Sequence, residues 1–148
     1  MKIYIAADHG GFKMKESVKE WLIVEGHDVE DCGNTVFDPN DDYPDFAFLA
    51  ADKVAKSSDK AVGILFCRSG GGMVIVANKV QGVRAVDVFD MTSAIHARTN
   101  NNANVISLGA DWMEIHEAKL IIKNFLETSF LGEERHLRRL RKIEEREA

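Results

Sequence analysis

Short apolar runs alternate with stretches of helical spacing along this 148-residue chain, and that alternation restricts its fold more than any other feature. Strands are expected over Lys2 to Ala7, His27 to Asp31, Ala61 to Phe66, Arg84 to Val88 and Asn104 to Leu108. Helices are expected over Phe12 to Glu25, Pro44 to Lys56, Gly72 to Lys79, Asp90 to Thr99, Asp111 to Leu126 and Glu133 to Arg146. Pro44 suits a first helical turn, where its missing N–H has no helical acceptor in any case. Gly26 stops the first helix, and the aperiodic polar stretch from Gly33 to Asp42 reads as a loop. Repeated strand–helix units imply parallel strands, right-handed crossovers and helices on both faces of a sheet. The expected fold is therefore α/β, a Rossmann-like three-layer α/β/α sandwich with a five-stranded parallel sheet and a protruding C-terminal helix. The length fits one domain over residues 1–148.

Composition narrows the function classes. A net charge of −5 argues against a general nucleic-acid surface. No apolar stretch reaches membrane length, and Met1 leads straight into a strand-like run, so neither a membrane span nor a signal peptide is expected. The only cysteines, Cys32 and Cys67, form no disulfide framework; a free thiol suits a reducing, cytoplasmic location.

Ligands of open parallel sheets bind beyond the carboxyl ends of the strands. The richest such end is Cys67-Arg68-Ser69-Gly70-Gly71-Gly72-Met73, a thiol, a hydroxyl and closely spaced backbone amides between a buried strand and a helix. Glycines let amides approach an anion without a Cβ in the way, and a nearby cation or helix N-terminus favours a thiolate. The bland alternatives are a structural cysteine and a serine N-cap. The glycine run lacks the Lys-Ser or Lys-Thr pair of a phosphate loop and the first-strand position of a dinucleotide fingerprint, so nucleotide binding is disfavoured. Asp8-His9-Gly10-Gly11 ends the first strand with an acid and an imidazole, suited to proton handling or phosphate binding, or simply to a turn and cap. Tyr43 opens the second helix, where an aromatic commonly packs. In the tail, Arg135 and Arg139 share a helix face that suits a phosphate, while Leu137, Leu140 and Ile143 form an apolar stripe suited to docking. A solvated helix is the alternative there.

These segments, together with Asp42-Tyr43-Pro44, Ala77-Asn78-Lys79, Gly82-Val83-Arg84-Ala85 and Asn101 to Asn104, resemble the type B ribose-5-phosphate isomerases and the related galactose-6-phosphate isomerase subunits, in order along the whole chain. The resemblance implies an aldose–ketose isomerisation of a sugar phosphate through an enediolate, with no metal or cofactor. By position, Cys67 matches the catalytic base and Ser69 a residue that moves a hydroxyl proton. Asp8 matches a ring-opening residue. The amides of Gly70, Gly71, Gly72, Met73 and Val74, with Asn101, match the anion hole. His9, Arg135 and Arg139 match phosphate ligands, and Tyr43 a substrate contact. The resemblance further implies a homodimer or dimer of dimers, with the helix at about 133–146 docking on the partner.

The chain departs from that pattern in four places. Asn100 stands where a histidine is usual, with His96 one helical turn earlier; Asp111 follows the fifth strand where an arginine is usual. Arg68 replaces a glycine, and Gly71 an aliphatic residue. Asp111 is expected instead to cap the helix after it. These changes bear on which sugar phosphate is used more than on the chemistry.

Overall fold

The computed structural model describes residues Met1–Ala148. Five strands, β1 (Lys2–Ala7), β2 (Asp28–Asp31), β3 (Ala61–Cys67), β4 (Ala85–Asp87) and β5 (Val105–Gly109), form one parallel sheet in the order β2-β1-β3-β5-β4. Six α-helices connect or follow them: α1 (Phe12–Val24), α2 (Tyr43–Ala55), α3 (Gly71–Ala77), α4 (Met91–Thr99), α5 (Ile115–Glu127) and α6 (Glu134–Glu147). The architecture is the expected three-layer sandwich.

Two apolar clusters sandwich the sheet. Met14, Val18 and Leu22 of α1, Ala94 and Ala97 of α4, and Ile121, Ile122 and Phe125 of α5 cover one face. Ala47, Ala50, Ala51 and Val54 of α2, with Met73, Val76 and Ala77 of α3, cover the other. The alanine-rich face of α2 brings that helix close to the sheet. Strand β3 is buried along its whole length, as its continuous apolar run demands.

The chain leaves β1 toward the α1 face and leaves β3 toward the α3 face, although these strands are neighbours. The crevice between their carboxyl ends is thus the switch point where open α/β sheets bind ligands. Asp8 follows β1 there, and Cys67 ends β3.

Two expected boundaries moved by two residues or more. The helix after β3 ends at Ala77, two turns long. Asp111 does not cap α5: Ala110–Trp112 form a 3-10 turn, the Asp111 N–H bonds the Arg68 carbonyl at 3.1 Å, and Glu114 takes the N-cap position. The end of β5 is thereby tied to the Cys67 loop before the helix can begin.

Candidate active site

Cys67 is the last residue of β3 and only 5% exposed, with its side chain among residues of the α2–α3 face. Its sulfur accepts a hydrogen bond from the Gly70 N–H at 3.0 Å. Gly70 reaches that position at φ +85°, a left-handed conformation that glycine adopts without penalty. It also occupies the N-cap position of α3, so Ser69 is not the cap and its hydroxyl is left for other work.

The amides divide into two groups. The Gly70 N–H serves the sulfur, and the Val74 N–H serves the Gly70 carbonyl at 3.3 Å. Those of Gly71, Gly72 and Met73 belong to the first turn of α3, where no helical carbonyl is available to them. An anion hole on this loop therefore has three amide donors rather than the five expected from sequence.

Close backbone packing brings the other segments to this loop. A Cβ on Gly11 would meet the Phe66 carbonyl oxygen at 2.6 Å, so only glycine allows the Asp8–Gly11 turn to lie against the end of β3. A Cβ on Gly72 would lie 2.8 Å from the Tyr43 ring, which therefore rests on the glycine loop from the first residue of α2. Asp8 is 6% exposed, and its carboxylate accepts the Gly11 N–H at 3.1 Å. Burial pushes its pKa above the ordinary aspartate value despite that bond.

His9 is held by an acid from a distant loop. The Asp41 Oδ1 accepts its backbone N–H at 2.9 Å and lies 2.6 Å from its Nδ1. That hydrogen bond, assisted by the charge on Asp8, raises the His9 pKa. Burial works against charge on Asp41, but hydrogen bonds from the His9 backbone, its ring and Asn34 win and lower its pKa. Ligand-type atoms of Asp8, His9 and Asp41 lie within 4.8 Å of one another. Because His9 and Asp41 already satisfy each other, the group is a hydrogen-bonded pair beside Asp8 rather than an open ligand set.

The sequence assigns no role to Asp41, which adjoins Asp42-Tyr43-Pro44, or to Asp87, near the carboxyl end of the fourth expected strand. The latter ends β4 with Oδ1 against Gly70, where it would lie 2.4 Å from an added Cβ. Burial raises the Asp87 pKa. Asp87 shares the strand-end position of Asp8 and Cys67, whereas Asp41 lies in a polar loop where nothing in the spacing marks it.

Asn101, Arg135 and Arg139 do not join this cluster within the chain. Asn101 is exposed and precedes β5, at the amino end of the sheet, opposite Cys67. It lines a groove with Val83, Arg84, Leu140 and Ile143. Helix α6 is anchored at that same end: the Leu131 N–H bonds the Thr99 carbonyl at 3.3 Å before it, and Glu147 accepts the Gly82 N–H at 3.0 Å in its last turn. Arg135 and Arg139 are exposed between these anchors, and His96 is exposed on α4 one turn before Asn100. A cleft of about 480 Å³ lies beside the Cys67 loop between Gly10, Lys13 and the Asp111–Glu114 segment. Arg68 overhangs its Gly10 rim, with Nε 3.9 Å from the Asp111 carboxylate.

A thiol, an acid, a paired imidazole and free amides at the switch point of a doubly wound sheet define a site for moving protons on a small anionic substrate. Residues 3–143 match the family model described as Ribose/Galactose Isomerase, and the chain belongs to that family. It is 47% identical over 141 residues to a probable ribose-5-phosphate isomerase B of Mycoplasma genitalium, covering 95% of this chain and 92% of that protein. It is 36% identical over 140 residues to the ribose-5-phosphate isomerase B of Mycobacterium tuberculosis, covering 95% and 86%. The crystal structure of the Mycoplasma genitalium ribose-5-phosphate isomerase B with bound ribulose 5-phosphate superposes with a TM-score of 0.95, at 46% identity over 99% of this chain and 95% of that one. The ribose 5-phosphate isomerase of Thermotoga maritima gives 0.92 at 40% identity, covering 97% of each chain.

Proposed function

We propose that this chain interconverts ribose 5-phosphate and ribulose 5-phosphate through an enediolate, with Cys67 as the base. The observation that carries the reading is the Cys67 sulfur at the carboxyl end of β3, bonded to the Gly70 N–H and followed by three first-turn amides. The family relationship, extending over 95% of the chain, supplies the substrate class.

In the open-chain aldose, the Cys67 thiolate removes the proton from C2, and the electron pair shifts onto the C1 oxygen. The Gly70 N–H donates to that sulfur at 3.0 Å. The amides of Gly71, Gly72 and Met73 receive the developing oxyanion; one such donor is worth about 3–4 kcal/mol in the transition state. Ser69 passes the hydroxyl proton between the oxygens, and the Cys67 thiol returns its proton to C1, giving the ketose. Asp8, buried at the end of β1, handles the proton that moves when the furanose ring opens. Tyr43 walls the sugar, and His9 takes the phosphate.

Asn101, Arg135 and Arg139 enter the same scheme from a second copy of the chain. They lie at the opposite end of the sheet from Cys67, so a homodimer that faces one copy's amino-end groove to the other's thiol completes both sites. The exposed apolar residues Leu137 and Ile143 on α6 suit that contact.

The test is deuterium incorporation from heavy water into ribose 5-phosphate and a panel of tetrose and hexose phosphates, followed by NMR. Exchange at C2 of ribose 5-phosphate together with ribulose 5-phosphate formation is expected, and Cys67→Ala should lower kcat by at least about 10²-fold, as for loss of a general base. Exchange confined to another sugar phosphate would move the substrate assignment. An active Cys67→Ala enzyme would remove the mechanism.

A further inference from the structure

Nothing in the reaction scheme uses Asp41, yet its carboxylate is the most heavily engaged acid near the site. It stands in the loop between β2 and α2 with its side chain 6% exposed. One oxygen takes both the backbone N–H of His9 at 2.9 Å and the ring Nδ1 at 2.6 Å; the other accepts from Asn34 Nδ2 at 2.8 Å. An ionised carboxylate only accepts, so the hydrogen between Asp41 and His9 resides on Nδ1. Neutral His9 then has a bare lone pair at Nε2, which a phosphate oxygen repels. Only the imidazolium presents an N–H there.

We propose that Asp41 is the positioning residue of the anion subsite: its carboxylate fixes the His9 ring through Nδ1 and the backbone, leaving Nε2–H as the donor to the sugar phosphate. This rests on the reading of His9 as a phosphate ligand and explains how that ligand is kept charged. The groups around it are mixed. The Asp41 hydrogen bond and the Asp8 charge raise the His9 pKa, and Arg68, which packs over Gly10 beside it, lowers it; the net direction is upward. The donor is therefore fully present at low pH and is lost as pH rises through the elevated His9 pKa. Arg68, with Asp111 3.9 Å away, adds positive charge on the same side without replacing the directional bond.

The experiment combines NMR titration of the His9 ring nitrogens with steady-state kinetics on ribose 5-phosphate, in the wild type and in Asp41→Asn. Wild-type His9 should keep its proton on Nδ1 and titrate above an ordinary imidazole. In Asp41→Asn the titration should move to lower pH. KM at slightly alkaline pH should rise about tenfold, the worth of one charge-assisted hydrogen bond, with kcat within about twofold. Lowering the pH should return the variant's KM toward the wild-type value, which a purely structural defect would not do. An unmoved titration, or a KM rise that acid leaves in place, overturns the proposal. So does a wild-type spectrum with neutral His9 protonated on Nε2, which needs no variant to fold. His9→Ala separates the two layers. If it leaves KM unchanged, the phosphate reading of His9 fails and takes the subsite with it. If it raises KM while Asp41→Asn does not, only the role of Asp41 falls.

Discussion

At the scale of single residues, Gly70 carries the most. Its φ of +85° aims its N–H at the sulfur, and an added Cβ would lie 2.4 Å from the Asp87 carboxylate. Gly70→Ala combines a left-handed strain of about 1–2 kcal/mol with that collision. The expected result is a loss of at least about 2 kcal/mol in denaturant unfolding and a kcat depressed well beyond what the folded fraction explains. A variant that keeps wild-type turnover would show that the sulfur does not depend on this amide. The residues at strand ends, Asp8, His9 and Cys67, were legible in sequence because a parallel sheet turns every carboxyl end into crevice wall. Asp41 was not, because its meaning comes from a contact 32 residues away across a loop with no period. The amide inventory was also beyond sequence: which N–H groups are free depends on where a helix begins, and α3 begins at Gly71.

At the scale of elements, a buried ion cluster fastens α1 to β2 and to the loop that carries Asp41. Lys15 is fully buried; its ammonium donates to Asp31 at 2.6 Å, Glu16 at 2.8 Å and the Asn34 carbonyl at 2.6 Å, while Lys19 donates to Asp31 at 2.8 Å. Asn34 in turn donates to Asp41, so the helix is linked to the His9 subsite through two bonds. Burial opposes the charge on Asp31, but Lys15, Lys19 and the Gly33 N–H outweigh it and lower its pKa. A depressed carboxylate pKa adds stability above the unfolded value of about 4, and that part is lost as pH falls through the folded pKa. Lys15→Met keeps the length and removes the charge; the expected loss near neutral pH is about 3 kcal/mol, because half-buried Asp31 keeps one partner fewer. The gap between variant and wild type should narrow in acid, where Asp31 takes up a proton. Unfolding curves at neutral and acid pH read this directly, and a gap independent of pH would assign the loss to packing. Element order and type were readable from periodicity and from signals such as Pro44 and Gly26. The Asp111 boundary was misread because an aspartate before an apolar stretch looks like a cap, whereas Asp111 is tied by its backbone to Arg68 in a separate turn.

At the scale of the whole molecule, the sheet places half of the proposed chemistry at each end. Cys67, Asp8, His9 and Tyr43 gather at the carboxyl end, while Asn101 and the α6 arginines are held at the amino end by bonds to Thr99 and Gly82. A strand of seven residues, such as β3, spans about 20 Å, too far for any side chain to bridge. The proposed site, which needs both sets, would have to be shared between copies, and sharing has a signature that a self-contained site lacks. Cys67→Ala and Asn101→Ala should each be nearly inactive as pure preparations, the second by about 10²-fold for a lost oxyanion donor. When the two are co-expressed with different tags, a mixed dimer holds one site with both lesions and one with neither. Random pairing makes half of the dimers mixed, each with one working site of two, so the population should regain about one quarter of wild-type activity, and dimers purified through both tags about half. If the mixed dimers stay as inactive as their parents, Cys67 and Asn101 do not meet across an interface. The tail helix would then have to reach the thiol by a route its anchors at Thr99 and Gly82 do not permit.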